Sequence, residues 1–106
     1  MIKKLLLTGC LIATSFIHAS LAEPTPARQT ELRNLLKNDC GACHGLSLKG
    51  GMGPALLPEN LAGKPDGLLV TTILEGRKGT AMPPWKPFMN RDEVVRLVGV
   101  LRKGRD

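Results

Sequence analysis

Cys40-Gly41-Ala42-Cys43-His44 is the stretch of this 106-residue chain that carries the most specific chemistry. On a helical turn, positions 40, 43 and 44 stand at i, i+3 and i+4, so both thiols and the imidazole leave the same face. Two thiols can form thioethers with the vinyl groups at a porphyrin edge, while the neighbouring imidazole reaches the iron. The spacing C-x-x-C-H is therefore typical of a site where a c-type haem is covalently attached.

Three other interpretations of this motif compete with haem. A structural zinc needs four ligands, whereas the chain beyond its apparent leader offers only Cys40, Cys43 and His44. A thioredoxin-like dithiol requires a βαβ scaffold, and the sequence has neither long β-branched strands nor a crossover helix. A plain disulfide would form in an oxidising compartment, but it would not explain the histidine that follows directly. The sequence therefore favours haem.

The composition agrees with one small domain built around an apolar cofactor. Outside the leader only Trp85 and Phe88 are aromatic, and a small chain is poorly placed to bury enough surface by itself. With Lys3 and Lys4 removed, 13 basic residues face 9 acidic ones, a net charge of +4. Haem propionates would lower this charge further, so the basic balance gives little support for nucleic-acid binding, and none is predicted.

Residues 1–22 are predicted to be a cleavable secretory signal peptide. Lys3 and Lys4 form a basic n-region, residues 5–17 form an apolar run too short to span a bilayer, and Ser20-Leu21-Ala22 supplies small residues at the cleavage positions. Cleavage after Ala22 would leave a monohaem domain of residues 23–106 in the periplasm, without a membrane span. A lipoprotein acylated at Cys10 is the competing interpretation, because residues 7–10 resemble a lipobox.

Apolar periodicity predicts three helices. The first runs from Arg28, or the residue before it, to Asn38, after an extended lead-in with two prolines. The second starts near Asp66 and ends at Gly76. The third has Asn90 as its N-cap, in a capping box, and one continuous apolar face. The pattern predicts an all-α protein.

Two loops separate these helices. Residues 45–61 are rich in glycine, which allows the backbone to approach a flat ligand closely. Met52 in this loop is a candidate iron ligand on chemistry alone. Residues 77–85 form the second loop, in which Pro83 and Pro84 stiffen the chain beside Met82. A stiff loop would lower the entropy lost when a weak thioether ligand is held against iron.

The order of these pieces resembles the class I cytochrome c family over nearly the whole of residues 23–106. The resemblance rests on the helix leading into the haem motif, on Gly53-Pro54-Ala55-Leu56, on Gly79-Thr80-Ala81-Met82-Pro83 and on a C-terminal helix. It implies about three helices and loops wrapped round one haem c, attached through Cys40 and Cys43. It also implies that His44 and Met82 are the axial iron ligands and that the Pro54 carbonyl accepts a hydrogen bond from His44 Nδ1.

The other two methionines fit the sixth iron position less well than Met82. Met52 lies on the loop that must also orient His44, so its sulfur would have to be brought round to the opposite face. Met89 directly precedes the predicted cap Asn90, where its side chain can pack on Val94.

Within that family the chain resembles the short monohaem cytochromes encoded with the haem c and haem d containing nitrite reductase of denitrifying bacteria. The shared features are the compact loop of residues 50–54 and the sequence Met82-Pro83-Pro84-Trp85. The resemblance implies a monomeric electron carrier, not an enzyme, that takes single electrons from quinol-oxidising systems and passes them to nitrite reductase. Arg77, Lys78 and Lys86 are predicted to form a basic rim that suits an acidic partner.

Two alternative functions follow from the same residues. The first is an accessory protein in maturation of the nitrite reductase haem d cofactor. The second is a haem enzyme or gas sensor in which Met82 is not bound and the sixth iron position is open.

Overall fold

A single helical stretch leads into the C-x-x-C-H motif. The computed structural model describes Gly9, Ala13 and residues 23–105, so the predicted leader, apart from those two residues, and Cys10 lie outside the described residues. Helix α1 spans Pro26–Asn34, a π-helical turn follows at Leu35–Cys40, and helix α2 spans Gly41–His44. The Gly41 N–H donates to the carbonyl of Leu36, five residues earlier, as in a π-turn. The helix therefore continues beyond the predicted end at Asn38 and includes the whole motif.

The first helix also begins earlier than the sequence predicted. The Thr25 hydroxyl accepts a hydrogen bond from the Arg28 N–H at 3.2 Å and caps the helix. Pro26 takes the first helical position, where its missing N–H costs nothing because that N–H would have no intrahelical partner. The expected extended lead-in through Arg28 was wrong, because the second proline starts the helix.

The remaining helices follow the two loops. Helix α3 is a short turn at Pro58–Leu61, α4 spans Asp66–Glu75, and α5 spans Arg91–Lys103. Helix α3 was not predicted, although its start with proline is the same signal that begins α1. The part of the chain that the structure describes contains no β-strand, and the predicted all-α fold is confirmed.

The capping box at the start of α5 forms as predicted. The Asn90 side chain accepts from the Glu93 N–H at 2.9 Å, and the Glu93 carboxylate accepts from the Asn90 N–H at 3.0 Å. Together these bonds pair two of the backbone donors that a helix start leaves unsatisfied. The cap fixes where α5 begins and hence which of its residues face the core.

Helix α5 supplies much of the apolar core and packs against α4 and α3. The buried hydrophobic residues come from the π-turn, the first loop, the helices and the segment before α5: Leu36, Leu48, Leu61, Val70, Met89, Val94, Leu97, Val98 and Leu101. Gly99 on the same helix has open space around the position of a side chain, so no other helix of the described residues crosses there closely. Leucine and valine dominate this core, as the scarcity of aromatic residues predicted.

An ion pair ties the first helix to the last. Arg28 Nε lies 2.6 Å from Glu93 Oε2, and a second guanidinium nitrogen lies 2.9 Å from Glu31. Hydrogen bonding from Arg28 lowers the pKa of the buried Glu93 carboxyl, and the two carboxylates raise the pKa of Arg28. Arg28 and Glu93 are 65 residues apart, so this contact fixes α1 against the first turn of α5.

Candidate haem site

A cavity of about 790 Å³ opens beside the C-x-x-C-H motif. Its lining includes Cys40, Cys43, His44 and Met82. The walls are mainly apolar side chains from the π-turn, the two loops and three helices: Leu36, Leu56, Leu61, Leu68, Leu69, Ile73, Trp85, Leu97 and Leu101. Cofactor pockets have volumes of roughly 300–1,000 Å³ and mostly apolar walls with a few convergent polar groups. The cavity and its donor set therefore fit a porphyrin.

The His44 imidazole is fixed by a hydrogen bond to the first loop. Nδ1 of His44 lies 2.7 Å from the carbonyl oxygen of Pro54. Because a carbonyl can only accept, Nδ1 carries the proton, and Nε2 keeps the lone pair with which an imidazole binds a metal. A hydrogen bond of this kind fixes both the tautomer and the ring orientation of a metal-binding histidine.

Gly53 makes a second close contact with the same ring. A side chain carbon at position 53 would stand 2.8 Å from Cε1 and from Nδ1 of His44, nearer than non-bonded carbon atoms approach. Gly53 has no positive φ, so the need for glycine comes from space and not from backbone conformation. The sequence showed Gly53 as part of a family motif, but it did not reveal this contact with the imidazole.

Backbone hydrogen bonds hold the first loop against the end of the motif. The N–H of Gly53 donates to the carbonyl of Cys43 at 2.7 Å, and the N–H of Gly50 donates to the carbonyl of His44 at 2.8 Å. These carbonyls belong to the last helical residues and would otherwise lack partners. The loop thus completes the C-terminus of α2 while it places Gly53 and Pro54 beside the ring.

No disulfide joins Cys40 and Cys43, so both sulfurs are available for thioether bonds. Burial, followed by the negative charge of Asp39, raises the pKa of the Cys40 thiol to about 11. No group of three or more His, Cys, Asp or Glu side chains among the described residues could hold a metal ion.

The three methionines beyond the leader have different surroundings. Met82 is half-buried and lines the cavity. Met52 also borders the cavity but is 78% exposed, whereas Met89 is 3% exposed and belongs to the core. The packing role predicted for Met89 is present, so Met82 and Met52 are the two methionines that the structure brings to the cavity.

The second loop is attached to the end of α4 through its backbone. The Arg77 N–H donates to the carbonyl of Met82 at 3.1 Å, and the Trp85 N–H donates to the carbonyl of Ile73 at 3.0 Å. Lys86 repeats this pattern with the carbonyl of Leu74 at 3.2 Å. The last turn of α4 therefore positions the whole segment that carries Met82.

The three cations of the predicted basic rim are not equivalent. Arg77 is one of the residues that line the cavity, and both Arg77 and Lys78 are exposed. Lys86, in contrast, lies 3.0 Å from the Glu75 carboxylate, which offsets its charge. Of the three residues, Arg77 and Lys78 thus have the exposed positive charge that a basic rim requires.

No helix in the described part of the chain is long and apolar enough to cross a membrane.

Comparison with known proteins identifies the family. The model of the family described as cytochrome c oxidase, cbb3-type, subunit III matches residues 27–99. A curated protein from Pseudomonas aeruginosa named cytochrome c55X is 53% identical over 81 residues, which cover 76% of this chain and 68% of that protein. The chain belongs to the c-type cytochromes. Its cofactor is covalent haem c, and it is an electron-transfer protein, as the motif and the family resemblance predicted.

Further relatives of this cytochrome cover similar shares of the chain. A cytochrome c55X from Stutzerimonas stutzeri is 48% identical over 86 residues, covering 81% of this chain and 76% of that protein. A solved structure named c-type cytochrome NirC is 52% identical, with a TM-score of 0.73, and covers 76% of this chain and 94% of that chain.

A larger solved structure contains a similar domain. It is named dihydro-heme d1 dehydrogenase NirN in complex with DHE, and the likeness has a TM-score of 0.61 at 34% identity. It covers 66% of this chain but only 15% of that chain, so it concerns one part of the dehydrogenase.

Proposed function

We propose that this cytochrome is an exported monohaem carrier of single electrons in which His44 and Met82 are the axial iron ligands. The observation that carries the proposal is the cavity that brings together Cys40, Cys43, His44 and Met82. Haem supplies one-electron chemistry when bound, and its thioether and imidazole ligands favour the reduced state relative to harder ligands. Cys40 and Cys43 would each contribute one thioether bond to the porphyrin edge.

The residues around the two ligands support this role. Pro54 holds the proton on Nδ1 of His44 and so keeps Nε2 available as the iron-binding atom. Met82 would be the second side chain to bind the iron, so that no position would remain open for a substrate. The apolar walls exclude water from the ligands, which lowers the reorganisation that accompanies an electron transfer.

We further propose nitrite reductase as the electron acceptor and a quinol-oxidising system as the donor. The support is the similarity to proteins named cytochrome c55X and NirC, together with the features shared with the short cytochromes of denitrifying bacteria. In this proposal residues 1–22 direct export to the periplasm and are removed, and residues 23–106 act there as a monomer. The lipoprotein alternative with an acylated Cys10 predicts a different N-terminus.

Maturation of haem d is the second candidate function. The likeness to part of a dihydro-haem d1 dehydrogenase favours it, because that protein's name places a similar cytochrome domain in haem d1 chemistry. In this role the cytochrome would accept electrons from the dehydrogenation. Electron-transfer rates measured with a purified nitrite reductase and with a purified dehydrogenase separate the two functions. The carrier function predicts faster transfer to the reductase, and the maturation function predicts faster transfer from the dehydrogenase.

Substitution of methionine tests the ligand assignment. We expect Met82→Ala to abolish the sulfur-to-iron charge-transfer absorption of the ferric protein, to lower its reduction potential and to open the iron to carbon monoxide. Met89→Ala is the matched control, because it removes a buried methionine at a cost of about 2–5 kcal/mol of stability and leaves the absorption in place.

The outcomes distinguish the competing assignments. If Met82→Ala keeps the absorption, Met82 is not the ligand, and loss of the absorption in Met52→Ala would identify Met52. Ready binding of carbon monoxide to the unmodified protein would instead support the gas sensor or enzyme. Intact-mass analysis of the same preparation should show a chain that starts at Glu23 and carries one haem.

A further inference from the structure

Gly76 precedes the second loop, residues 77–85, which is the methionine loop that carries Met82. Its backbone approaches the backbone of this loop with no side chain between them. A side chain carbon at Gly76 would stand 2.7 Å from the Met82 carbonyl oxygen, from the Pro83 carbonyl carbon and from the Pro84 nitrogen. All three atoms belong to backbone that Pro83 and Pro84 stiffen, so they cannot move aside as the end of a flexible side chain would. Gly76 is therefore in direct contact with the peptide groups on both sides of Pro83.

The conformation of Gly76 is also restricted to glycine. Its φ of +68° and ψ of −169° lie in a region that other residues essentially do not occupy. This conformation ends α4 and directs the next N–H, that of Arg77, to the Met82 carbonyl at 3.1 Å. The same residue thus ends a helix and sets the distance between that helix and Met82.

Thr80 links the two ends of the same turn. Its hydroxyl donates to the Arg77 carbonyl at 2.7 Å and accepts from the Met82 N–H at 3.3 Å. Both the N–H and the carbonyl of Met82 are therefore held by residues of this turn. The thioether sulfur itself is only a weak hydrogen-bond acceptor, so the backbone is the means by which the chain can place it.

We propose that Gly76, assisted by Thr80, is a positioning residue for Met82 as the sixth iron ligand. The proposal rests on the proposed function, because it assumes that the sulfur of Met82 binds the iron. Gly76 acts by allowing close approach of backbone to backbone, and Thr80 acts by bridging Arg77 to Met82. Loss of either function lets the loop move away from the cavity and weakens the bond between sulfur and iron while the thioether attachment and His44 stay in place.

The test compares alanine at three glycines with positive φ in the holoprotein. Gly104 also ends a helix, with a φ of +84° and its nearest neighbour atom 3.9 Å away, and Gly63 has a φ of +78° with nothing within 4 Å. All three substitutions strain the backbone, but only Gly76→Ala pushes against the methionine loop. We expect Gly76→Ala to lower the equilibrium constant for sulfur binding by about tenfold, as for other overpacked sites.

The readouts are the charge-transfer absorption of the ferric protein and the rate of carbon monoxide binding to the ferrous protein, with denaturant unfolding measured alongside. Weaker absorption and faster carbon monoxide binding in Gly76→Ala, with both unchanged in Gly104→Ala and Gly63→Ala, support the proposal. Unchanged absorption in Gly76→Ala overturns it and leaves Gly76 as a helix cap only. Retention of the absorption in Met82→Ala is a separate result, which overturns the ligand assignment itself.

Thr80 keeps the proposal testable if Gly76→Ala does not yield haem protein. In that event Thr80→Ala should weaken the absorption, and Thr80→Ser, which retains the bridging hydroxyl, should restore it. Wild-type absorption in Thr80→Ala would then overturn the proposal, since the bridge would carry no part of the ligand's position.

Discussion

The two sides of the haem cavity hold their proposed iron ligands in different ways. On one side the imidazole of His44 is fixed directly, by a 2.7 Å hydrogen bond to Pro54 and by contact with Gly53. On the other side the hydrogen bonds that hold Met82 involve its peptide N–H and carbonyl. One ligand is therefore restrained at the ring that would bind the metal and the other only at its backbone. The difference predicts that, of the two proposed ligands, Met82 is the one that a change of conditions or a mutation releases first.

Crowding the His44 side is the strongest way to break this comparison. Gly53→Ala adds a carbon 2.8 Å from the imidazole at a position that needs no positive φ. We expect the ring or the loop to shift, at a cost of about 1–3 kcal/mol of stability, as for other overpacked sites. The His44 to Pro54 hydrogen bond should lengthen, and the reduction potential of the purified haem protein should change.

Gly99→Ala is the matched control for this prediction. Gly99 lies inside α5 with nothing near the added carbon, so alanine should stabilise the helix by about 0.5–1 kcal/mol and leave the potential unchanged. Chemical denaturation and voltammetry of both variants give the two quantities. An unchanged potential in Gly53→Ala would show that the imidazole is less restrained than the comparison requires.

Removing a charge remote from both ligands sharpens the comparison with a smaller effect. Glu93→Gln breaks the ion pair with Arg28 and weakens the capping box, so we expect a loss of about 1–2 kcal/mol, as for a charge-assisted hydrogen bond. Neither ligand should change. Glu31→Gln, at the exposed partner of Arg28, is the control and should have little effect.

The loss in Glu93→Gln should depend on pH. Arg28 lowers the pKa of Glu93 below its ordinary value of 4.5, so the native state favours the ionised carboxyl. The stabilisation is complete above the unfolded pKa and disappears as the pH falls through the folded pKa. Unfolding free energies of wild type and Glu93→Gln should therefore differ by a constant amount above about pH 5.5 and converge in acid. A constant difference down to low pH would contradict the ion-pair contribution.

The smallest predicted effect concerns partners that dock on the Met82 side. Neutralising Arg77 and Lys78 should slow electron transfer to an acidic reductase several-fold at low salt, because exposed charges act over about 10 Å at 0.1 M salt. Lys86→Gln should change the rate less, since Glu75 already offsets that charge. Stopped-flow rates as a function of salt measure both. Equal effects of Lys86 and Arg77 would show that pairing with Glu75 does not matter for docking.

Local signals in the sequence were sufficient wherever a structure depends on neighbouring residues. The haem motif, the Asn90 capping box and the apolar face of α5 were all predicted, because each follows from spacing within a few residues. Proline signals were the exception. Pro26 begins α1 and Pro58 begins α3, whereas both segments were predicted to be extended or loop.

Contacts between distant segments could not be predicted in this way. The need for glycine at position 53 depends on a ring nine residues earlier, and the ion pair of Lys86 depends on Glu75 at the end of α4. The Arg28 to Glu93 pair joins residues 65 apart. Spacing and periodicity describe one element at a time, so these contacts appear only once the elements are packed.

The π-turn at Leu35–Cys40 sets the rotational phase between two parts of one helix. The part before it presents Arg28 to Glu93, and the part after it presents the thiols and His44 to the cavity. In an α-helix each residue advances the direction by about 100°. The i to i−5 bonding of the π-turn takes up about one residue more than the α-helical turn it replaces. Deleting one residue there would therefore restore regular α-helix and leave Arg28 facing Glu93, whereas deleting one residue between Arg28 and the π-turn would rotate Arg28 away by about 100°.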